Sequence, residues 1–199
     1  SFKIRGSSYL MSRLTAEERA RGVVAASAGN HAQGAALAAR ELGIHATIFM
    51  PLGVPVPKLL ATRGYGAEVI LQGPTVELPL QLAAEFAKET GAVLVHPFDH
   101  IDVITGQGTL GLELFEEHPD VDTVLVPIGG GGLIAGVAGA IKAKAAQAGR
   151  TVRVIGVQAA NSAAYPESLA AGHPSTVATR PTIADGIAVA RPGDVPFAM

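Results

Sequence analysis

The sequence predicts an α/β fold of two domains, each an open, twisted parallel sheet with helices on both faces. Three observations carry this. Short apolar, β-rich runs alternate with longer Ala- and Glu-rich runs. The short runs are continuously apolar, as strands buried on both faces are. The longer runs repeat their apolar residues at helical spacing, and strand–helix alternation of this kind goes with parallel crossovers.

In chain order, strands are expected at 22–27 (GVVAAS), 46–50 (ATIFM), 67–71 (AEVIL), 92–95 (AVLV), 122–128 (DTVLVPI) and 152–158 (VRVIGVQ). Helices are expected at 31–42, 56–63, 76–90, 103–117 and 133–148. Thr15 followed by Glu18 fits a capping box at a further helix start. Gly43, Gly64 and Gly91 each follow a helical run, where a left-handed residue closes the helix. Pro51 and Pro127 sit at strand ends, where a missing N–H is tolerated. A boundary falls near His96–His100, where PFD interrupts two regular segments. Beyond about residue 160 the pattern weakens, and AGHP and RPGD read as turns. Structured-looking sequence starts at Ser1, so the chain reads as a piece of a longer protein, incomplete at both ends.

Composition narrows the function classes. Fifteen Lys+Arg against 17 Asp+Glu in 199 residues give a net charge of −2. That leaves no basic footprint for nucleic acid and no polybasic membrane patch. No stretch approaches the ~20 apolar residues of a membrane helix. The absence of cysteine rules out disulfides, thiolate zinc sites and a cysteine nucleophile, and it accords with a cytoplasmic setting.

Loops after strands carry most weight, because parallel sheets bind ligands at the carboxyl ends of their strands. Gly129, Gly130, Gly131, Gly132 and Leu133 lie between a strand and a helix. Their N–H groups and the helix N-terminus make an anion cradle. Neither the P-loop nor the dinucleotide spacing is present, so one phosphate of a small cofactor is the natural guest. A second loop, Ser27-Ala28-Gly29-Asn30-His31, occupies the same kind of position and suits a carboxylate; an ordinary N-cap explains it equally well. Of the five lysines, Lys142 and Lys144 lie late in a helix, and Lys58 and Lys88 sit in amphipathic segments. Lys3 is flanked by Phe2 and Ile4. A partly buried lysine has a lowered pKa and forms Schiff bases, yet from position alone Lys3 reads as exposed at a frayed terminus. His96, Asp99, His100 and Asp102 fit no metal-ligand spacing and read as a solvated loop. Ser27 and His31 lack the elbow of a serine hydrolase.

SFKIRG at 1–6, SAGNHAQG at 27–34, PFD at 97–99, GQGT at 106–109 and GGGGL at 129–133 stand in one order along the whole chain. Together they resemble the fold-type II pyridoxal-phosphate enzymes (tryptophan synthase β-like), in the threonine/serine dehydratase (threonine ammonia-lyase) branch. The resemblance implies that residues 8–97 form a small domain, and that 1–7 and 98–199 belong to a large one. It implies pyridoxal 5'-phosphate as cofactor, held by Lys3 as a Schiff base. Phe2 would pack on its ring, Asn30 would bond its ring hydroxyl, and Gly129 to Gly132 with Leu133 would cradle its phosphate. Ser27, Ala28, Gly29 and His31 would form the loop that grips the substrate carboxylate. No metal is implied.

The implied reaction is β-elimination from L-threonine or L-serine. Lys3 removes the α-proton, the β-hydroxyl leaves as water, and hydrolysis gives a 2-oxo acid and ammonia. The implied setting is amino-acid metabolism, with isoleucine biosynthesis among its uses, in a homo-oligomeric parent. KIRG differs from the KDR typical of sulfhydrylases and threonine synthases. Serine racemases usually carry a second Ser where Ala28 stands, which argues against efficient racemisation. Their cation site uses acids in the segment matching 158–164, and this chain has none there. Family members also carry strands before the lysine motif and a later Ser or Cys at the pyridine nitrogen. The isolated 199 residues are therefore expected to fold poorly or to be inactive. The rival readings are a serine-preferring dehydratase, a non-catalytic phosphate-ligand protein and a plain nucleotide-binding domain.

Overall fold

The computed structural model describes residues 1–75 and 77–199. They divide into two compact units, Ser1–Pro97 and Phe98–Met199. Val76, placed by the sequence at a helix start, lies outside the described residues.

In the first unit the chain runs α1 (Lys3–Ser12), α2 (Ala16–Arg21), β1 (Val23–Ala26), α3 (Asn30–Glu41), β2 (Ala46–Met50), α4 (Val56–Gly64), β3 (Glu68–Leu71), α5 (Glu77–Thr90) and β4 (Val93–Leu94). The strands pair in parallel in the order β3-β2-β1-β4. Val23 stands opposite Ala46 on one side and Val93 on the other. Every residue of β1 and β2 is buried, as their unbroken apolar runs require. Val24, Ala26 and Phe49 pack on Ala83 and Phe86 of α5. Strand alternation sends Val23, Ala25 and Ile48 to the opposite face, where α3 packs. The Phe49 and Phe86 rings meet edge-on with centroids 5.8 Å apart, an arrangement worth about 1 kcal/mol beyond its area.

The Thr15–Glu18 capping box forms as the spacing predicts. Gly43 and Gly91 take positive φ after their helices, but Gly64 does not. It is the last residue of α4, and Gly66 makes the left-handed turn in its place. The helix α1 has no counterpart among the expected elements. It packs on α3, and that packing stabilises a segment with little intrinsic helical signal.

The second unit contains α6 (Ile101–Glu117), β5 (Thr123–Pro127), α7 (Gly132–Gln147), β6 (Arg153–Val157), α8 (Ala164–Ala171) and α9 (Asp194–Ala198). β5 and β6 pair in parallel. Val126 of β5 packs on Val137, Ile141 and Ala145 of α7. Leu125, Ile155 and Val157 are exposed. α6 and α7 meet along their small residues, with Gly108 and Gly111 against Gly136, Val137 and Ala140. α8 and α9 replace part of the turn-rich tail that the sequence suggests.

Candidate active site

The strand order of the first unit reverses at β1: β2 lies on one side and β4, reached last, on the other. Such a switch point opens a crevice at the carboxyl end of the sheet. The Ser27–His31 loop leaves β1 at this point. Ser27 Oγ accepts from the Gly29 N–H at 3.1 Å, which folds the loop on itself. The N-cap of α3 is Gly29, with no side-chain cap and no acidic residue in the first turn. The ordinary N-cap reading of Ser27 or Asn30 is therefore not realised. Asn30 is the first helical residue and is exposed.

Lys3 opens α1, and it is not the frayed, exposed residue that its position suggests. Its Nζ donates to the Pro97 carbonyl at 2.6 Å and stands 5.3 Å from the Phe2 ring centroid. Burial lowers its pKa from 10.5 to about 8. The approach of α1 to α3 depends on Gly34. A Cβ there would lie 3.0 Å from both Lys3 C and Ile4 N.

His31 is buried, and its Nε2–H donates to the Val95 carbonyl at 2.7 Å. Its Nδ1 is buried without a partner. Burial chiefly, then the charge of Lys3, pushes its pKa down to about 3 against the pull of the Val95 bond. The ring is neutral at physiological pH. The end of β4 thus supplies carbonyls to both Lys3 and His31.

In the second unit, Gly129 to Leu133 join β5 to α7. Gly131, at φ +104°, is the N-cap of α7, again with no side-chain cap and no acid in the first turn. A Cβ on Gly131 would run into the Tyr165 hydroxyl, and one on Gly132 would lie 2.7 Å from the Phe98 carbonyl. The Gly130 carbonyl accepts from the Gly193 N–H at 2.9 Å. The Asp99 carboxylate accepts from the backbone N–H groups of Asp194 and Val195, at 3.1 and 2.8 Å. The Leu133 side chain packs into the core beside Val126 and Val137, so only its backbone faces the loop.

Sequence reasoning missed the Pro97 carbonyl, Phe98, Asp99 and Tyr165 as structural parts of these loops. The PFD motif was visible, but these contacts span dozens of residues, which local pattern does not report. Among the described residues no cluster of His, Asp or Glu is arranged to hold a metal ion. No helix among them is long and apolar enough to cross a membrane.

Comparison with known proteins agrees with this geometry. The chain is 53% identical over 197 residues to an L-threonine ammonia-lyase of Thermotoga maritima, covering 99% of this chain and 48% of the relative. It is 47% identical to the catabolic L-threonine dehydratase of Escherichia coli, covering 99% of this chain and 59% of the relative. The chain therefore spans about half the length of these curated relatives. Among solved structures, the processed threonine deaminase isoform 2 of Solanum lycopersicum superposes with a TM-score of 0.94 at 43% identity, over all of this chain and 57% of that one. Maize serine racemase superposes with a TM-score of 0.92 at 39% identity, over all of this chain and 59% of that one. The family described as pyridoxal-phosphate dependent enzyme matches residues 1–199, and the chain belongs to it.

Proposed function

We propose that the parent protein dehydrates and deaminates L-threonine to 2-oxobutanoate and ammonia, with L-serine as a secondary substrate. The carrying observation is Lys3: a buried amine with a pKa of about 8, held by a backbone carbonyl instead of a carboxylate. A carboxylate partner would raise the pKa and keep the amine charged. Near pH 8 about half of these amines are neutral, the state a nucleophile and base requires. The names of the relatives support the substrate.

The residues present fit the family's cofactor. The Gly129–Gly132 loop offers N–H groups with no side-chain cap and no acid in the first turn of α7, and Lys3 offers a desolvated amine. When bound, pyridoxal phosphate supplies the electron sink that makes the α-proton of an amino acid removable. Lys3 would hold it through Nζ, Phe2 would pack on its ring, Asn30 would bond its ring hydroxyl, and Gly129 to Leu133 would hold its phosphate. Ser27, Ala28, Gly29 and His31 would orient the substrate by its carboxylate. Lys3 Nζ would take the α-proton, a proton returned to the β-hydroxyl would let it leave as water, and addition of water with loss of ammonia would give the 2-oxo acid. Ala28 offers no hydroxyl for proton transfer on the opposite face, so dehydration is favoured over racemisation.

Residues 8–97 form the smaller domain, with 1–7 and 98–199 in the larger; the division of the chain at Pro97 supports the boundary, and the placing of 1–7 rests on the resemblance. The setting is threonine breakdown, because the Escherichia coli relative is named catabolic; isoleucine biosynthesis has no such support. A homo-oligomeric, cytoplasmic parent completes the reading.

The test uses the full-length parent. Borohydride reduction after loading with pyridoxal phosphate, followed by peptide mass spectrometry, is expected to label Lys3 alone. The rate of covalent capture rises with pH through about 8 and then levels off, whereas an ordinary lysine keeps gaining up to 10.5. Turnover of L-threonine exceeds that of L-serine by no more than about a hundredfold, because one methyl group discriminates weakly. Labels scattered over other lysines, with no 2-oxobutanoate released, would refute the proposal.

Replacing Gly131 by Ala tests the cradle separately. The added methyl meets the Tyr165 hydroxyl, at a φ that side chains rarely adopt. Affinity for pyridoxal phosphate, read by absorbance titration, should fall at least about tenfold as N–H contacts to the phosphate are lost. Unchanged affinity would place the phosphate elsewhere.

A further inference from the structure

We propose that Lys58 is a specificity-determining residue, its ammonium pairing with the substrate's α-carboxylate beside the Ser27–His31 loop. The inference rests on the functional reading above and adds to it a residue outside the recognised motifs.

Lys58 Nζ lies 3.6 Å from where a Cβ on Gly29 would stand, so the ammonium hangs over the N-cap of α3. Lys58 is itself the third residue of α4, behind an N-cap at Pro55. A cation in a first turn faces the positive end of its own helix dipole and is repelled by it. The ammonium of a first-turn lysine on α4 thus lies against the N-cap of α3, and both are positive.

No acid in the neighbouring described segments balances this charge. Residues 22–40 and 42–67 contain no Asp or Glu. Neither α3 nor α4 has a side-chain cap or an acid in its first turn. Lys58 is half-buried, and its ammonium has no ion-pair partner among the described residues. Lys3 and His31, beside the loop, carry positive charge or none, while Glu41 closes the far end of α3 against Arg40 and Glu68 lies against His45. An external carboxylate placed against the first turn of α3 would satisfy both the ammonium and the open N–H groups. The same pairing explains why a lysine is placed where its own helix opposes it. It would reject amines that lack the carboxylate, because their binding leaves Lys58 unpaired.

The test again uses the full-length parent loaded with pyridoxal phosphate. Lys58→Gln and Lys58→Met should raise KM for L-threonine at least about tenfold, while kcat falls less than about threefold, as loss of one charge-assisted hydrogen bond in binding predicts. Covalent capture at Lys3 should be unchanged, and Lys58→Arg should recover most of the lost affinity. In the wild-type protein, propionate should slow acetylation of Lys58 by trace acetic anhydride relative to Lys88 and Lys142, read by peptide mass spectrometry. This second measurement needs no variant to fold. A KM within about twofold of wild type, an equal loss with Lys58→Arg, or acetylation indifferent to propionate would overturn the assignment while leaving Lys3 in its role. If the wild type neither captures cofactor at Lys3 nor turns over L-threonine, the whole reading of the site fails, and Lys58 with it.

Discussion

Lys3→Met in the full-length parent is expected to lose covalent cofactor capture entirely and to lower L-threonine turnover at least about a thousandfold, because in the proposed site one atom would serve as both anchor and base. The same substitution is expected to stabilise the fold at neutral pH. The folded pKa, about 8, lies below the ordinary 10.5, so the unfolded chain binds more protons between those values. Stability therefore rises with pH across that window, and below it the full desolvation penalty applies. That penalty is on the order of 3 kcal/mol. Methionine fills the space of the stem and carries no charge to desolvate. Turnover and thermal melting at pH 7 together check the prediction. A variant that loses activity and melts lower would mark Lys3 as structural; one that keeps the covalent label would displace it as the anchor.

Gly34→Val should lower turnover about a hundredfold without removing any reacting group, which is the penalty for moving a catalytic atom by roughly 1 Å. Any side chain at 34 must push against Lys3 C and Ile4 N, both 3.0 Å from the new Cβ, and against Lys3 Cβ at 3.2 Å. These are backbone and stem atoms, so the whole start of α1 has to shift. Gly34→Ala should fall between wild type and valine. Overpacking also destabilises by about 1–3 kcal/mol, so activity is compared well below the melting temperature. Gly139→Ala is the control, since its Cβ would meet nothing within 4 Å. Equal effects at 34 and 139 would show a general loss of stability instead of a displaced lysine.

The strands and long helices were legible because they are continuous or periodic over many residues. β1 and β2 read as buried from VVAA and ATIFM alone, and they are. The glycine run and the Ser27 loop were legible as loops between strand and helix. Helix α1 was not. Its sequence, KIRGSSYLMS, holds a glycine and three serines, and its stability comes from α3, thirty residues away. The same reason hid the environment of Lys3. A lysine near a terminus reads as solvated, and only the fold brings Pro97 to its amine. Gly64 was misread because a helix can run through a glycine when another glycine follows to end it. The tail escaped because AGHP and RPGD, read as turns, are the boundaries of its short helices: Gly172 ends α8 and Gly193 caps the start of α9.

The Pro97 carbonyl that receives Lys3 belongs to the main chain, and this shapes how the site responds to change. No substitution at position 97 deletes that oxygen. A mutational scan would therefore record only the effect of losing the proline ring, and the acceptor itself would go unseen. A side-chain acceptor could drift to a carboxylate in one or two base changes and lock the amine in its charged form. A peptide oxygen is closed to that route, so the tuning of Lys3 is protected from point mutation. Replacing the 97–98 peptide link by an ester, which weakens the carbonyl as an acceptor, would reach it directly.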